Sequence, residues 1–292
     1  MATPLELDIT GLDVQLTAMP LEPSAFAPFG DVIENPRPDV HPSSAFLGSL
    51  GPSASSLPYD AVPANQGTAI KYQHVTRPTN LYWDGAAPSG RPGIAVVNMF
   101  VCAARQLETL QTTDSGTNSG SGAFTVKVLE RHPFTTQTFI PLSASGRRTA
   151  THYLVVVAPS LPPSAIDEGF PVPIPDRVPV PRGNRKLPGR GLPDVRHLRA
   201  FVASTGQAVT YGAGTWHAPM VALGEPGTSL DFVVTQFANG VADEDCQEIV
   251  FTSAPVSSSS SFYSGASLAS TSEHGGGRIV VRVPNNLKTS RL

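Results

Sequence analysis

The stretch VLERHPFTTQTFIPL, residues 128–142, sets an acid, a base, an imidazole and an amide (Glu130, Arg131, His132, Gln137) into a run that otherwise reads as two apolar strands. Buried polar groups cost free energy unless partnered, so four of them in one strand-turn-strand unit mark either a solvated face or a site. Glu130 and His132 are two apart and point to one face of an extended strand. Gln137 follows past a proline-containing turn, so acid, imidazole and amide can converge. Arg131 between them faces the other side, which reads as an outward solvated charge or a dimer contact. Downstream, YGAGTWHAPMVAL (211–223) has the form of a tight Gly212-x-Gly214 turn followed by a strand bearing a second imidazole, His217. Two histidines with one carboxylate are an acceptable ligand set for zinc, nickel, manganese or iron, and Gln137 adds a weak fourth oxygen. The set Glu130, His132, His217 permits a divalent metal without requiring one. Bland alternatives exist for each group alone: His132 before Pro133 fits a turn histidine, and His217 after Trp216 fits a strand end in a packed core. Taken together, their spacing favours a site in one interior.

A third polar run, NQGTAIKYQHV (65–75), alternates Lys71 and Gln73 with Tyr72 and His74, so one of these pairs should look inward. Other chemistry finds no support. The sequence has no phosphate-binding glycine loop, no G-x-S-x-G elbow and no C-x-x-C pair.

The elements that must position these residues read as β structure. Charged residues are 15% and hydrophobic ones 40%, with 26 Gly and 29 Pro, a turn-rich and helix-poor mixture. Segments 70–75, 94–103, 124–129, 138–142, 153–158, 198–203, 207–211 and 230–237 alternate or run apolar over strand lengths. Helical periodicity is confined to short stretches at 23–29 and 58–62. An all-β antiparallel barrel or sandwich follows, with a weak two-half organisation around 70–157 and 198–237. Residues 112–122, 159–193 and 256–272 are polar, proline-rich or serine-rich and read as surface-loop insertions, after which RIVVRV (278–283) returns as an edge strand.

A net charge of −3, with no long run of Lys or Arg, argues against nucleic acid or an anionic membrane as partner. Two cysteines fall short of a disulfide framework, so a reducing compartment is the default. No signal segment is evident, and no apolar run approaches the roughly 20 residues of a spanning helix. The ending Ser290-Arg291-Leu292 is a one-residue variant of the S-K-L address, which predicts a peroxisomal location against a cytoplasmic one.

Glu130-x-His132, four residues, then Gln137 resembles the first metal motif of the cupins, with Glu for its first His and Gln for its Glu. Gly212-x-Gly214-x-x-His217 resembles the second. Several blocks in order, among them PLEPSAFAPFGDVIE, NQGTAIKY, LERHPFTTQTFIPL, YGAGTWHAPMVAL and DFVVTQFANGVADEDCQE, resemble the ureidoglycolate lyases in a fungal-style version with long insertions, from about residue 16 to 248. The resemblance implies a cupin-like, bicupin-type catalytic domain over 1–292 with insertions at about 112–122, 159–193 and 253–275. It implies a homodimer that cleaves (S)-ureidoglycolate to glyoxylate and urea in allantoin degradation, holding nickel, zinc, manganese or no metal. Rival functions are an amidohydrolase releasing ammonia from the same substrate, a metal-dependent cupin isomerase or dioxygenase, and a non-catalytic binding cupin. Under the lyase reading His132 or His217 serves as base, with Glu130 beside them. Gln137 orients the ureido group, and Tyr72 is a weaker candidate for protonating the leaving urea. Lys71, or the backbone amides of Asn65, Gln66 and Gly67, would hold the substrate carboxylate.

Overall fold

A computed structural model describes residues 3–42, 57–109, 122–142, 149–178, 187–254 and 276–285. The insertions at 112–122 and 253–275 fall almost wholly outside these residues, as does the Ser290-Arg291-Leu292 ending.

The fold is all-β, as expected for a cupin-like sandwich. Among the described residues the largest sheet has eight strands. Its path runs Leu5–Asp8, Gln247–Thr252, Val128–Arg131, Trp216–His217, His152–Ala158, Arg199–Ser204 and Met19–Pro20, with Val221–Leu223 also paired to His152–Ala158. A five-stranded sheet runs Gly30–Ile33, Ala208–Tyr211, Gln137–Leu142, Ser229–Ala238 and Ile94–Ala103. A four-stranded sheet joins Asp13–Thr17, Arg278–Val283, Gly122–Thr125 and Glu108–Thr109. Val62–Ala64 and Ala69–Lys71 form a two-stranded hairpin of their own.

The eight-stranded sheet is covered on both faces, and its centre shows why. In His152–Ala158 every residue is buried. Tyr153, Val155 and Val157 enter a core shared with Phe139, Val209, Tyr211 and Phe232 of the five-stranded sheet. Leu154, Val156 and Ala158 enter a second core with Ile279, Val281 and Val283 of the four-stranded sheet. Successive side chains alternate faces, so a strand apolar at every position is one that buries both. Each fully buried aliphatic side chain contributes roughly 1.5–3 kcal/mol.

Several expectations change in detail. The 124–129 run divides into Gly122–Thr125 and Val128–Arg131, which belong to different sheets. The 70–75 run stops at Lys71, and His74 has a left-handed φ of 55° that no strand accommodates. Arg278–Val283 is no edge strand: it pairs with Asp13–Thr17 on one side and Gly122–Thr125 on the other. The 23–29 stretch forms one helical turn, Pro23–Phe26. Part of the 159–193 segment packs inward, with Leu192 in the second core and Phe170 against it. No helix among the described residues is long and apolar enough to cross a membrane.

Candidate active site

Three neighbouring strands place the polar groups in a row. Glu130 is the direct partner of His217 on one side and of Glu248 on the other. Residues opposite one another in a ladder share a face, so these side chains stand abreast on the face toward the five-stranded sheet. His132 follows immediately after the strand. The turn before His217 is bonded to it, because Gly214 donates its N–H to the His132 carbonyl at 2.8 Å. Gly214 has a φ of +75°, and a Cβ there would come 2.5 Å from Pro188, so the turn requires glycine.

The donor atoms of Glu130, His132 and His217 lie within 4.8 Å of one another. Both imidazoles are buried, with ring centroids 5.5 Å apart, while the Glu130 carboxylate is partly open to solvent. Each ring is oriented by a backbone carbonyl: His132 Nδ1 bonds to Asp245 O at 2.6 Å, and His217 Nδ1 to Thr215 O at 2.9 Å. A carbonyl can only accept, so both Nδ1 atoms carry the proton and both Nε2 atoms are left for the site. His217 Nε2 meets Gln137 Oε1 at 3.2 Å and Glu130 Oε1 at 3.5 Å. His132 Nε2 is buried without a partner among the described residues.

Lone pairs that converge without donors call for positive charge between them, such as a bound cation supplies. The donor types fit a divalent ion: two imidazole nitrogens and one carboxylate gathered within 4.8 Å, with an amide oxygen beside them. Burial lowers the His132 pKa below its usual 6.5, and the adjacent His217 lowers it further. Burial alone would raise Glu130, but its hydrogen bond with His217 and the nearby imidazoles outweigh that and bring its carboxyl below the usual range.

Gln137 is held from behind, donating Nε2 to Gln236 Oε1 at 2.7 Å. Tyr211 stacks on His217 with centroids 3.9 Å apart and planes 11° apart. The Asp245 turn is itself pinned: its carboxylate accepts from Tyr82 Oη at 2.9 Å and from the N–H groups of Asn239 and Gly240. Spacing in the sequence does not reveal these supports. Only the aromatic just before the glycine turn, Tyr211, stands beside a motif already singled out.

Arg131 does face away from Glu130 and His132, but not into solvent. It is fully buried, with its guanidinium 4.5 Å over Trp216 and bonded to Gln247 and to three carbonyls. The reason is the second covered face of the sheet. Burial pushes its pKa down to about 10.

Lys71, Asn65, Gln66 and Gly67 stand on the separate hairpin, and among the described residues no strand pairing or hydrogen bond joins it to the histidine cluster. Tyr72 follows the hairpin with its hydroxyl buried and unpartnered among those residues.

A sequence model of the family described as ureidoglycolate lyase matches residues 13–258. The chain belongs to the ureidoglycolate lyase family. It is 34% identical over 242 residues to the ureidoglycolate lyase of Schizosaccharomyces pombe, covering 83% of this chain and 94% of that one. It is 35% identical over 188 residues to the Saccharomyces cerevisiae protein of the same name, covering 63% and 75%. The Burkholderia mallei ureidoglycolate lyase is 30% identical over 219 residues, covering 75% and 80%. This member of the ureidoglycolate lyase family has Glu130, Gln137 and His217 on strands and His132 just past one, with Tyr211 of the first core stacked on His217.

Proposed function

We propose that the protein is a carbon–nitrogen lyase that cleaves (S)-ureidoglycolate to glyoxylate and urea. The observation that supports this best, beside family membership, is the convergence of Glu130, His132 and His217 with an unpartnered buried Nε2 on His132. The substrate bears a carboxylate, a hydroxyl and a ureido nitrogen on one carbon. Cleavage removes the hydroxyl proton, closes that oxygen to a carbonyl as the carbon–nitrogen bond breaks, and returns a proton to the departing nitrogen.

Burial keeps His132 neutral, so its Nε2 lone pair can take the hydroxyl proton and return it to the urea nitrogen. His217 Nε2, set beside Glu130 Oε1 and Gln137 Oε1, faces the reacting carbon with His132, and Gln137 orients the ureido group through its amide. In the alternative route Glu130, His132 and His217 would hold a divalent ion, nickel, zinc or manganese, which would occupy the His132 Nε2 and in place of that base would supply Lewis acidity to lower the hydroxyl pKa. Carboxylate capture remains assigned to Lys71 or to the amides of Asn65, Gln66 and Gly67. All three residues of that tip have left-handed φ values, 48°, 56° and 90°, and such strain in non-glycine residues concentrates at functional sites. Tyr72 is the weaker proton donor. Purified protein supplied with ureidoglycolate should release urea and glyoxylate in equal amounts. Ammonia in place of urea would mean an amidohydrolase, and binding without turnover a binding protein.

The acting form is a homodimer in this proposal. The strand Ile94–Ala103 ends its sheet, and Val97, Met99 and Val101 on one face are 72%, 58% and 70% exposed. Their ladder partners continue the patch through Val233 to the exposed Ile140 and Leu142. A long apolar edge strand of this kind is normally covered, and a two-fold pairing with its own copy does so.

A further inference from the structure

The residue between Glu130 and His132 turns its back on the site, yet it touches both strands that flank Glu130 in the sheet, through Trp216 and Gln247. Arg131 donates Nε to Gln247 Oε1 at 2.8 Å, Nη1 to the carbonyls of Gly189 at 2.9 Å and Gly191 at 3.2 Å, and Nη2 to Arg190 O at 2.7 Å. Its planar group lies over Trp216, the neighbour of His217, and Trp216 Nε1 donates to the same Gly191 carbonyl at 3.0 Å. One backbone oxygen is thus shared by two residues adjacent in sequence to the three donors. Gln247 passes the linkage on, donating Nε2 to Asp243 O at 3.1 Å in the turn whose Asp245 carbonyl fixes the His132 ring.

We propose that Arg131 is a positioning residue. With residues 189–191 of the long proline-rich segment it forms a back plate that holds the strands bearing Glu130 and His217, and the turn that orients His132, in one register. The inference rests on the site assigned above. A space to be filled in an apolar layer would take Leu or Met without the large desolvation cost of a charge. Here, among the described residues, no carboxylate lies within 4 Å of the guanidinium, and the buried Asp167 favours its charge only from beyond that distance. Three successive carbonyls and one amide oxygen receive it instead, an arrangement that suits a planar fork and not a point charge such as lysine. The backbone must come close for this to work. At Gly191 a Cβ would lie 1.6 Å from Leu161 O, and Leu161 itself donates to Leu192 O at 2.8 Å, which locks the plate to the start of its own segment. The insertion is therefore not an ornament of the surface where it meets Arg131.

The test compares full-length Arg131→Met, Arg131→Lys and Trp216→Phe with Leu154→Ala, which removes packing from the same core without touching this network. Unfolding temperature, kcat and KM for urea release, and Ni2+ binding by chelator competition are measured for each. At equal folded fraction, Arg131→Met should lose at least about tenfold in kcat/KM and about tenfold in Ni2+ affinity, the scale on which supports behind metal ligands act. Arg131→Lys should regain stability without regaining kcat/KM, and Trp216→Phe should lose a few-fold. Should Arg131→Met fail to fold, the Lys and Phe variants decide. Arg131 variants that match Leu154→Ala in kcat/KM at equal folded fraction, beside an inactive His132→Ala, would overturn the back plate alone. Normal turnover by His132→Ala would overturn the site and the back plate with it.

Discussion

The rings of His132 and His217 stand with centroids 5.5 Å apart and planes at 41°, each fixed at Nδ1 by a backbone carbonyl. Neither ring can rotate its Nε2 away from the shared space without breaking that bond. The pair acts as a unit, and loss of either member should disable the other.

His132→Ala and His217→Ala should therefore each lower urea release on the order of 10²–10⁴-fold, the range of a general acid–base group. Circular dichroism should stay close to wild type, because the ladders that hold these strands are backbone pairings in which neither ring takes part. A variant with a rate near normal would mean that the ring it lost takes no part.

Stability should fall in acid. His132 has a folded pKa below its ordinary 6.5, so below that pH the unfolded chain binds the proton more readily. Glu130 is held below its ordinary 4.5, which acts in the same direction at lower pH. Stability is then full above about pH 6.5, begins to decline as pH drops past that value toward the folded pKa of His132, and declines again as Glu130 takes up its proton. Urea-unfolding midpoints between pH 4 and pH 8 measure this, and His132→Gln should flatten the upper part of the curve.

Tyr82→Phe removes a hydroxyl that donates to Asp245 Oδ1 at 2.9 Å and has no bond to Glu130, His132 or His217 among the described residues. Asp245 Oδ1 keeps the Asn239 N–H, so the loss is that of one hydrogen bond to a charged group, about 1.5–3 kcal/mol of stability. Because Asp245 O orients His132, kcat should also fall several-fold with little change in KM. Denaturant unfolding and steady-state kinetics on one preparation separate the two effects.

Dialysis against a chelator should abolish urea release if a divalent ion is bound in use, and one of nickel, zinc or manganese should restore it. Added at about 100 times its dissociation constant, that ion should stabilise the fold by roughly 2.7 kcal/mol. Glu130→Gln should remove most of the thermal shift. Full activity in chelator would assign the chemistry to the His132 imidazole by itself.

Met99→Glu, placed in the exposed apolar face of Ile94–Ala103, should convert a dimer to a monomer in sedimentation velocity without unfolding it. A wild-type protein that sediments as a monomer at micromolar concentration would end the dimer proposal.

The residue pattern alone determined the β class, the span of Ile94–Ala103, and the grouping of Glu130, His132, Gln137 and His217, since two-residue alternation and a glycine turn are local properties. It could not say what lies across each face. Arg131 was legible as pointing away from Glu130, but only the packing of Trp216, Phe170 and residues 189–191 made that direction an interior. Likewise 124–129 reads as one strand, with Phe124, Val126 and Val128 alternating with Thr125 and Lys127, and the division into two sheets depends on partners at 249–250 and 280–281 that are remote in the chain. Alternation records which side chains share a face; whether that face meets water, a second sheet or a looping segment is set by contacts between distant parts of the chain. For that reason the convergence of Glu130, His132 and His217 is legible from spacing, while the carbonyl oxygens that aim the two rings, at Asp245 and Thr215, emerge only from the folded structure.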